Sequence, residues 1–162
     1  ALLLNEKKLG GFHFNDSKYG DDDLTVGSIN PYQLFLIFNE LVEGMDARNM
    51  QHATDLGWMI DASHNVKDPL EDLLQSVEAI MIAYAQALLI DREQLAAAQN
   101  NYDTALAQEI LQQAFRTDVR PLVAEARLRA GGAIDPIAAF RQEKVRSLLV
   151  KERGKTTVAT GL

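Results

Sequence analysis

Two short apolar runs, each ending in a cluster of polar residues, constrain the fold of this chain most strongly. The first, Gly-Gly-Phe-His-Phe-Asn at 10–15, leads into a loop that ends in three consecutive carboxylates at 21–23. The second, Leu-Gly-Trp-Met-Ile at 56–60, leads directly into Asp-Ala-Ser-His-Asn at 61–65. Both runs are typical of β-strands, and α/β proteins place their sites at the carboxyl ends of parallel strands. The pattern therefore predicts two strands whose polar ends form a site.

A strong helix start follows each run. Asn30 is a predicted N-cap, with Pro31 at the first helical position. The stretch Asp-Pro-Leu-Glu at 68–71 is a capping box that also has proline at its first helical position. The order strand, loop, helix therefore occurs twice, which predicts the α/β class.

The rest of the chain, from Asp91 to Gly154, carries helical patterns and no strand pattern. We predict several helices there, with breaks near 100–101, 118–121 and 131–132, and a last helix capped by Asp135. Arginine and lysine residues concentrate at the end of this region, which we interpret as a solvated or subunit-facing basic face and not as a nucleic-acid site.

Two parallel strands alone cannot satisfy their backbone edges or bury both faces of a sheet. The first nine residues also resemble the last turns of a helix that Gly10 and Gly11 terminate. We therefore expect the chain to be a fragment of a longer protein.

Composition narrows the classes of function. The chain has 162 residues, enough for one ordinary domain, with 47% hydrophobic residues and a formal net charge of −7. That charge argues against binding to nucleic acid or to an anionic membrane. The absence of cysteine excludes disulfides and thiolate metal sites. No run has the length of a membrane span.

The loop after the first run has the residue types of a metal site. Asp21 and Asp23 can lie on one side of a locally extended loop, with Asp22 facing away. Two carboxylates and the imidazole of His13 are a plausible ligand set for Mn²⁺, Zn²⁺ or Mg²⁺. A solvated acidic loop and a satisfied interior histidine are the alternatives, and spacing alone leaves the choice open.

The end of the second run has similar alternatives. Asp61 would be costly to bury unless it is paired or metal-bound, and it is equally suited to capping the following loop. Ser63 and His64 lack the partner acid and the glycine-flanked turn of a serine nucleophile, so a Ser-His mechanism has little support.

Two motifs resemble those of a known family. The stretch 12–23, Phe-His-Phe-Asn-Asp-Ser-Lys-Tyr-Gly-Asp-Asp-Asp, and the stretch 60–65, Ile-Asp-Ala-Ser-His-Asn, resemble L-rhamnose isomerases, within the xylose-isomerase-like (β/α)₈ barrels. The resemblance extends over nearly the whole chain. It implies that residues 1–90 are the last strands and helices of a metal-binding TIM barrel, and that residues 91–162 are a helical C-terminal extension for subunit contacts.

The resemblance also implies the roles of site residues. His13 and Asp61 correspond to ligands of the family's structural metal, and Asp21 and Asp23 to ligands of its catalytic metal. We assign Asp61 and Ser63 to catalysis. The expected cofactors are two divalent ions for each complete site, Mn²⁺ or alternatively Zn²⁺, Co²⁺ or Mg²⁺. The family's remaining ligands come from earlier strands, so we expect this part to be inactive without the N-terminal part.

The expected activity is a metal-dependent aldose–ketose isomerisation of L-rhamnose to L-rhamnulose, and of other aldoses. The expected partners are a monosaccharide substrate and further copies of the chain in a homotetramer, in the cytoplasm, without nucleic acid or membrane. Two alternatives remain open. One is a non-catalytic fragment that acts as a helical oligomerisation module, and the other is a different metal enzyme on the same barrel, such as a nuclease. The acidic net charge weighs against the nuclease.

Overall fold

The computed structural model of the chain describes residues 1–20, 22–47, 56–62 and 69–143. Over these residues it contains two strands and seven helices. In chain order they are α1 (Leu2–Asn5), β1 (Gly11–Phe14), α2 (Pro31–Ala47), β2 (Gly57–Ile60), α3 (Pro69–Leu88), α4 (Arg92–Asn100), α5 (Thr104–Arg116), α6 (Arg120–Arg129) and α7 (Pro136–Gln142). Residues Ala1–Val123 form one compact unit, and the chain from Ala124 onwards belongs to a second.

The two strands pair in parallel. His13 lies opposite Met59 and Phe14 opposite Ile60. Beyond the last pair, the backbone N–H of Asp61 donates to the carbonyl of Phe14 at 2.9 Å. In this register the carboxyl ends of both strands lie at the same end of the sheet.

The strands approach each other closely where they begin. Gly11 lies opposite Gly57, and a Cβ on Gly11 would lie 2.5 Å from the carbonyl oxygen of Gly57. A side chain at Gly11 would therefore push the two backbones apart, and the pairing depends on glycine at this position.

One face of the sheet is aromatic. The rings of Phe12 and Phe14 stack on Trp58, with centroids 5.7 and 5.8 Å apart, and Phe14 also stacks on Phe38 of α2 at 5.9 Å. Tyr84 of α3 meets Phe38 edge-on. These contacts join the sheet to α2 and α3 and begin the main core.

The core of the first unit continues into α4 and α5. Leu95 and Ala98 of α4 and Ile110 and Ala114 of α5 are buried in the same cluster as the strand and α2 residues. Phe35 of α2 belongs to this cluster and has no exposed surface. The helices after β2 therefore contribute to the same core as the sheet.

Aspartate caps begin three of the helices. The side chains of Asp91, Asp103 and Asp135 accept hydrogen bonds from the third backbone N–H that follows each of them, at 2.8–3.0 Å. These bonds satisfy amide groups that have no partner inside the helix. The predicted cap at Asp135 is thereby confirmed.

Most predicted elements are present in the structure. Both strands occur within their predicted runs, and α2 and α3 begin at the predicted prolines, Pro31 and Pro69. Asp68, the predicted cap of α3, lies outside the described residues. The first helix ends at Asn5 and not near Leu9, because the chain turns there and Lys7 has a φ of 54°.

The larger architecture stays a prediction. A two-stranded sheet neither shows nor excludes membership of a (β/α)₈ barrel, and the division at residue 90 into a barrel part and a subunit-contact part stays a prediction as well. Among the described helices, none is long and apolar enough by itself to cross a membrane. The pair α3 and α4, bent by 70°, meets those criteria together by length and composition only.

Candidate functional site

The structure brings His13 and Asp61 together. The Nε2 atom of His13 lies 3.5 Å from Oδ2 of Asp61, and the side chain of each is 57% exposed. The parallel register explains this proximity, because His13 is near the end of β1 and Asp61 directly follows β2. The prediction that these two side chains lie at the same end of the sheet is confirmed.

The loop after β1 closes on itself at a narrow neck. The backbones of Asp16 and Leu24 form two mutual hydrogen bonds of 2.9 and 2.6 Å, in antiparallel orientation. The buried carboxylate of Asp16 also accepts hydrogen bonds from the backbone N–H groups of Ile29 and Asn30, each at 2.8 Å. Asp16 therefore holds the neck of the loop and the start of α2 in one place.

The tip of this loop folds around Asp22. Its carboxylate accepts from the backbone N–H of Lys18, at 3.1 and 3.2 Å, and from that of Tyr19 at 3.4 Å. Partial desolvation acts to raise the pKa of the Asp22 carboxyl, but the backbone hydrogen bonds of its own loop outweigh it and hold that pKa below its usual value. Asp22 serves the structure of the loop, and its carboxylate faces into that loop.

Asp23 is oriented by a contact with the end of β1. The side-chain amide of Asn15 donates to Oδ1 of Asp23 at 2.5 Å. Asp23 has a φ of 41°, so the loop is not extended at this residue, and the premise of an extended loop from 21 to 23 is wrong there. Asp21, the other predicted ligand on this loop, lies outside the described residues, as do Ser63 and His64.

The chemistry of the described donor atoms can be compared with that of the expected metal ions. Over the described ranges, no group of three or more histidine and carboxylate side chains is arranged to hold one ion. His13 and Asp61 supply an imidazole nitrogen and a carboxylate oxygen, which suit Mn²⁺, Zn²⁺ or Co²⁺. The donor chemistry therefore fits the expected metal, and the number of ligands is incomplete within the described residues.

A cavity of about 220 Å³ lies beside the end of β1. Polar side chains from the strand end, His13 and Asn15, line it together with Asn30 and Gln33 at the start of α2. Its volume is below the roughly 300–1,000 Å³ of most small-molecule sites. The cavity by itself is therefore smaller than a typical small-molecule site.

A second set of contacts ties the loop to α3. The hydroxyl of Thr25 donates to Oδ1 of Asp72, and the backbone N–H of Val26 donates to Oγ of Ser76 at 3.2 Å. Both Asp72 and Ser76 have no exposed surface.

The sequence interpretation missed three of these residues. Because side chains alternate along a strand, Asn15 is expected on the same face as His13, and this is the signal in the sequence that could have indicated its role. Asp16 and Asp72 are recognisable only from the structure, because their partners lie in loops or are far away in the sequence.

Comparisons with known proteins agree with the predicted class of enzyme. The chain is 51% identical over 161 residues to a protein of Mesorhizobium japonicum named "probable sugar isomerase", covering 99% of this chain and 37% of that protein. It is 53% identical over 153 residues to a "probable sugar isomerase" of Rhizobium meliloti, covering 94% of this chain and 35% of that protein. No family model matches the chain. The chain thus spans about a third of the length of these relatives, and their names support a sugar isomerase without specifying L-rhamnose.

Proposed function

We propose that residues 1–162 form part of a metal-dependent sugar isomerase that interconverts L-rhamnose and L-rhamnulose and accepts other aldoses and ketoses. The observation that carries this proposal is the pair His13 and Asp61, with Nε2 and Oδ2 3.5 Å apart at the carboxyl ends of two parallel strands. The names of the two relatives support the sugar isomerase class. The choice of L-rhamnose rests on the motif resemblance alone.

In this proposal the side chains divide between two divalent ions, Mn²⁺ or alternatively Zn²⁺, Co²⁺ or Mg²⁺. His13 and Asp61 hold the structural ion, and Asp21 and Asp23 hold the catalytic one. Such ions, when bound, polarise the oxygens of a sugar and stabilise the negative charge that develops as hydrogen moves between C1 and C2.

The protein's own groups then have separate tasks. The amide of Asn15 fixes the orientation of the Asp23 carboxylate through its 2.5 Å hydrogen bond. Asp61 and Ser63 act beside the sugar at the end of β2, where their oxygens can accept or donate the proton of a hydroxyl group. The exposure of His13 and Asp61 leaves them accessible to both ion and substrate.

The proposed architecture is the late part of a TIM barrel followed by a helical extension. It is motivated by the polar face of the sheet, where the side chain of Met59 is 58% exposed beside His13 and Asp61. Further parallel strands would cover that face and the two sheet edges. A homotetramer built through the late helices, and a location in the cytoplasm, complete the proposal.

The test is an isomerisation assay with the full-length protein that carries these residues. We expect Mn²⁺-dependent formation of L-rhamnulose from L-rhamnose, loss of that activity with EDTA, and its recovery when Mn²⁺ is added back. Asp61→Asn should abolish turnover. Asp103→Asn is the matched control, because asparagine caps a helix as well as aspartate and Asp103 caps α5.

Two results would contradict parts of this proposal. Turnover of other aldoses without turnover of L-rhamnose would contradict the assignment of L-rhamnose as substrate, but not the assignment to the sugar isomerases. Full activity of Asp61→Asn, or full activity in EDTA, would remove the metal-dependent mechanism.

A further inference from the structure

The loop that carries Asp23 is attached to α3 by two hydrogen bonds, which we call the clasp: Thr25 with Asp72, which is partly buried, and Val26 with Ser76, which is buried. The Thr25 hydroxyl donates to the Asp72 carboxylate, and the Val26 N–H donates to the Ser76 hydroxyl oxygen. Val26 is itself 2% exposed. The α3 side of the clasp and Val26 are therefore buried, Thr25 is half-buried, and Tyr19 at the tip of the loop is exposed.

A charged group in the clasp is a costly choice. Burying a carboxylate without compensation is strongly unfavourable, and apolar side chains would fill the same space at lower cost. Asp72 nevertheless has no exposed surface. What a carboxylate adds over an apolar residue is direction, because its hydrogen bonds fix where Thr25 must lie.

The backbone next to the clasp also allows little freedom. Gly27 has a φ of +73°, and a Cβ at this position would lie 3.0 Å from Cβ of Ala79 on α3. The loop thus lies directly against the helix just after Val26. A shift of the loop along α3 would break both hydrogen bonds and this close contact together.

Asp23 lies between two fixed points. On one side, the Asn15 amide holds its carboxylate, and the backbone of Asp16 pairs with that of Leu24, the residue directly after Asp23. On the other side, the clasp begins at Thr25, two residues further along the chain than Asp23. Since α3 is the helix that follows β2, the clasp connects the loop of Asp23 to the chain segment that comes after Asp61.

We propose that Asp72, acting through Thr25, is a positioning residue that holds the Asp23 carboxylate in the place from which it binds the catalytic ion of the proposed function. This inference rests on the proposed function. Asp72 touches neither ion nor sugar in this role. It sets the place of a ligand that reaches them, as hydrogen-bond partners behind metal ligands do.

The test compares Thr25→Val, Thr25→Ser and Ser76→Ala in the full-length protein. Thr25→Val removes the hydroxyl at nearly constant shape, Thr25→Ser keeps it, and Ser76→Ala removes the acceptor of the Val26 N–H. Thr117→Val is the matched control, because it removes a threonine hydroxyl that donates to the Gln113 carbonyl at the end of α5, away from the loop.

Three measurements are made on each protein: Mn²⁺ affinity by the electron paramagnetic resonance of free Mn²⁺, hydrogen exchange of residues 18–24 without metal, and the melting temperature without metal. We expect Thr25→Val to weaken the binding of one Mn²⁺ ion by about tenfold or more, the scale found for partners behind metal ligands. Its loop should exchange faster, and its melting temperature should fall below that of Thr117→Val, because the buried Asp72 carboxylate loses a donor. Affinities are therefore compared at a temperature at which every variant is folded. Ser76→Ala should weaken the same ion, and Thr25→Ser should restore affinity.

The outcomes separate this inference from the proposed function. If Thr25→Val binds Mn²⁺ as tightly as Thr117→Val does, the positioning role is overturned, even if the loop exchanges faster. The role is also overturned if Thr25→Ser fails to restore the Mn²⁺ affinity. In either case an unsubstituted protein that isomerises sugar leaves the proposed function intact. If the unsubstituted protein binds no Mn²⁺, both proposals are overturned. If it binds Mn²⁺ but isomerises no sugar, the proposed function fails while the affinity comparison still decides the role of Asp72.

Discussion

The two faces of the small sheet differ in what covers them. On one face Phe14 is 5% exposed and stacks on Phe38 and Trp58. On the other face the side chains of His13 and Asp61 are both 57% exposed. Phe14 and His13 are neighbours in β1, Trp58 lies in β2, and Asp61 directly follows β2. Alternation along the strands thus places buried aromatic side chains on one face and exposed titratable side chains on the other.

The two faces should respond differently to substitution. Substitutions on the aromatic face should change the free energy of unfolding whether or not metal is present, because they remove buried contacts. Substitutions on the polar face should change metal binding and leave the metal-free protein largely unaffected. Four predictions test or sharpen this separation, from the largest effect to the smallest.

The largest effect is expected for Phe14→Ala. Removing a buried aromatic ring leaves a cavity among Phe38 and Trp58 and should cost about 3–5 kcal/mol of unfolding free energy. Urea denaturation with and without Mn²⁺ measures this cost. Phe14→Leu is the control, with a loss expected to be much smaller. A loss of unfolding free energy that appears only with Mn²⁺ would contradict the claim that the aromatic face stabilises the protein independently of metal.

Asp61→Asn should show the opposite behaviour. It keeps the size of the side chain and removes a charge, so Mn²⁺ affinity should fall by roughly 100-fold. At a free Mn²⁺ concentration of 100 times the dissociation constant of the unsubstituted protein, the stabilisation by metal should be about 2 kcal/mol smaller in the variant. Melting curves with and without Mn²⁺ check both parts. A large loss in the metal-free protein would show that Asp61 also supports the fold.

Gly11→Ala tests the strand pairing on which both faces depend. The new Cβ would meet the carbonyl of Gly57, and separating the two strands should cost about 1–2 kcal/mol, within the range for overpacked sites. Gly10→Ala is the matched control, because nothing lies within 4 Å of a Cβ there. Equal melting temperatures for the two variants would contradict the close strand approach.

The smallest effect is expected at Asp118, which lies on neither face. The side-chain hydrogen bonds from Arg120, of 2.7 Å to each carboxylate oxygen, lower the pKa of Asp118 to about 2 from an ordinary 3.8. Since the folded-state pKa is the lower one, the contribution of this pair is complete above pH 4 and is lost as pH falls through about 2.

The measurement for this pair is a series of melting curves from pH 5 to pH 2. Asp118→Asn should melt slightly below the unsubstituted protein at pH 5, because an exposed ion pair contributes little. The difference should shrink towards pH 2. A difference that grows on acidification would contradict the assigned direction of the pKa.

The sequence predicted the parts of the site that follow from local rules. Strand-like composition is enough to predict the positions of β1 and β2. Parallel pairing then places His13 and Asp61 at the same end of the sheet. The starts of α2 and α3 depend on proline at the first helical position. Each of these signals lies within a few residues of the feature that it predicts.

The orientation of the loop could not be predicted in this way. The left-handed backbone at Asp23 places its carboxylate on Asn15, and no rule for aspartate spacing contains that torsion angle. The clasp joins Thr25 to Asp72 across 47 residues, so neither partner identifies the other in the sequence. No local pattern marks Asp72, which directly follows the capping box at 68–71, and its complete burial results from the packing of α3.

The sequence separation of the clasp has a consequence for the order of folding. Helices and their turns can form within microseconds, whereas contacts between distant residues wait until the intervening chain has been brought into place. The clasp joins residues 47 and 50 positions apart. We therefore expect the loop of Asp23 to become ordered after α2 and α3 have packed, as one of the last events in folding. In a φ-value experiment, Thr25→Val should speed unfolding and leave the folding rate nearly unchanged.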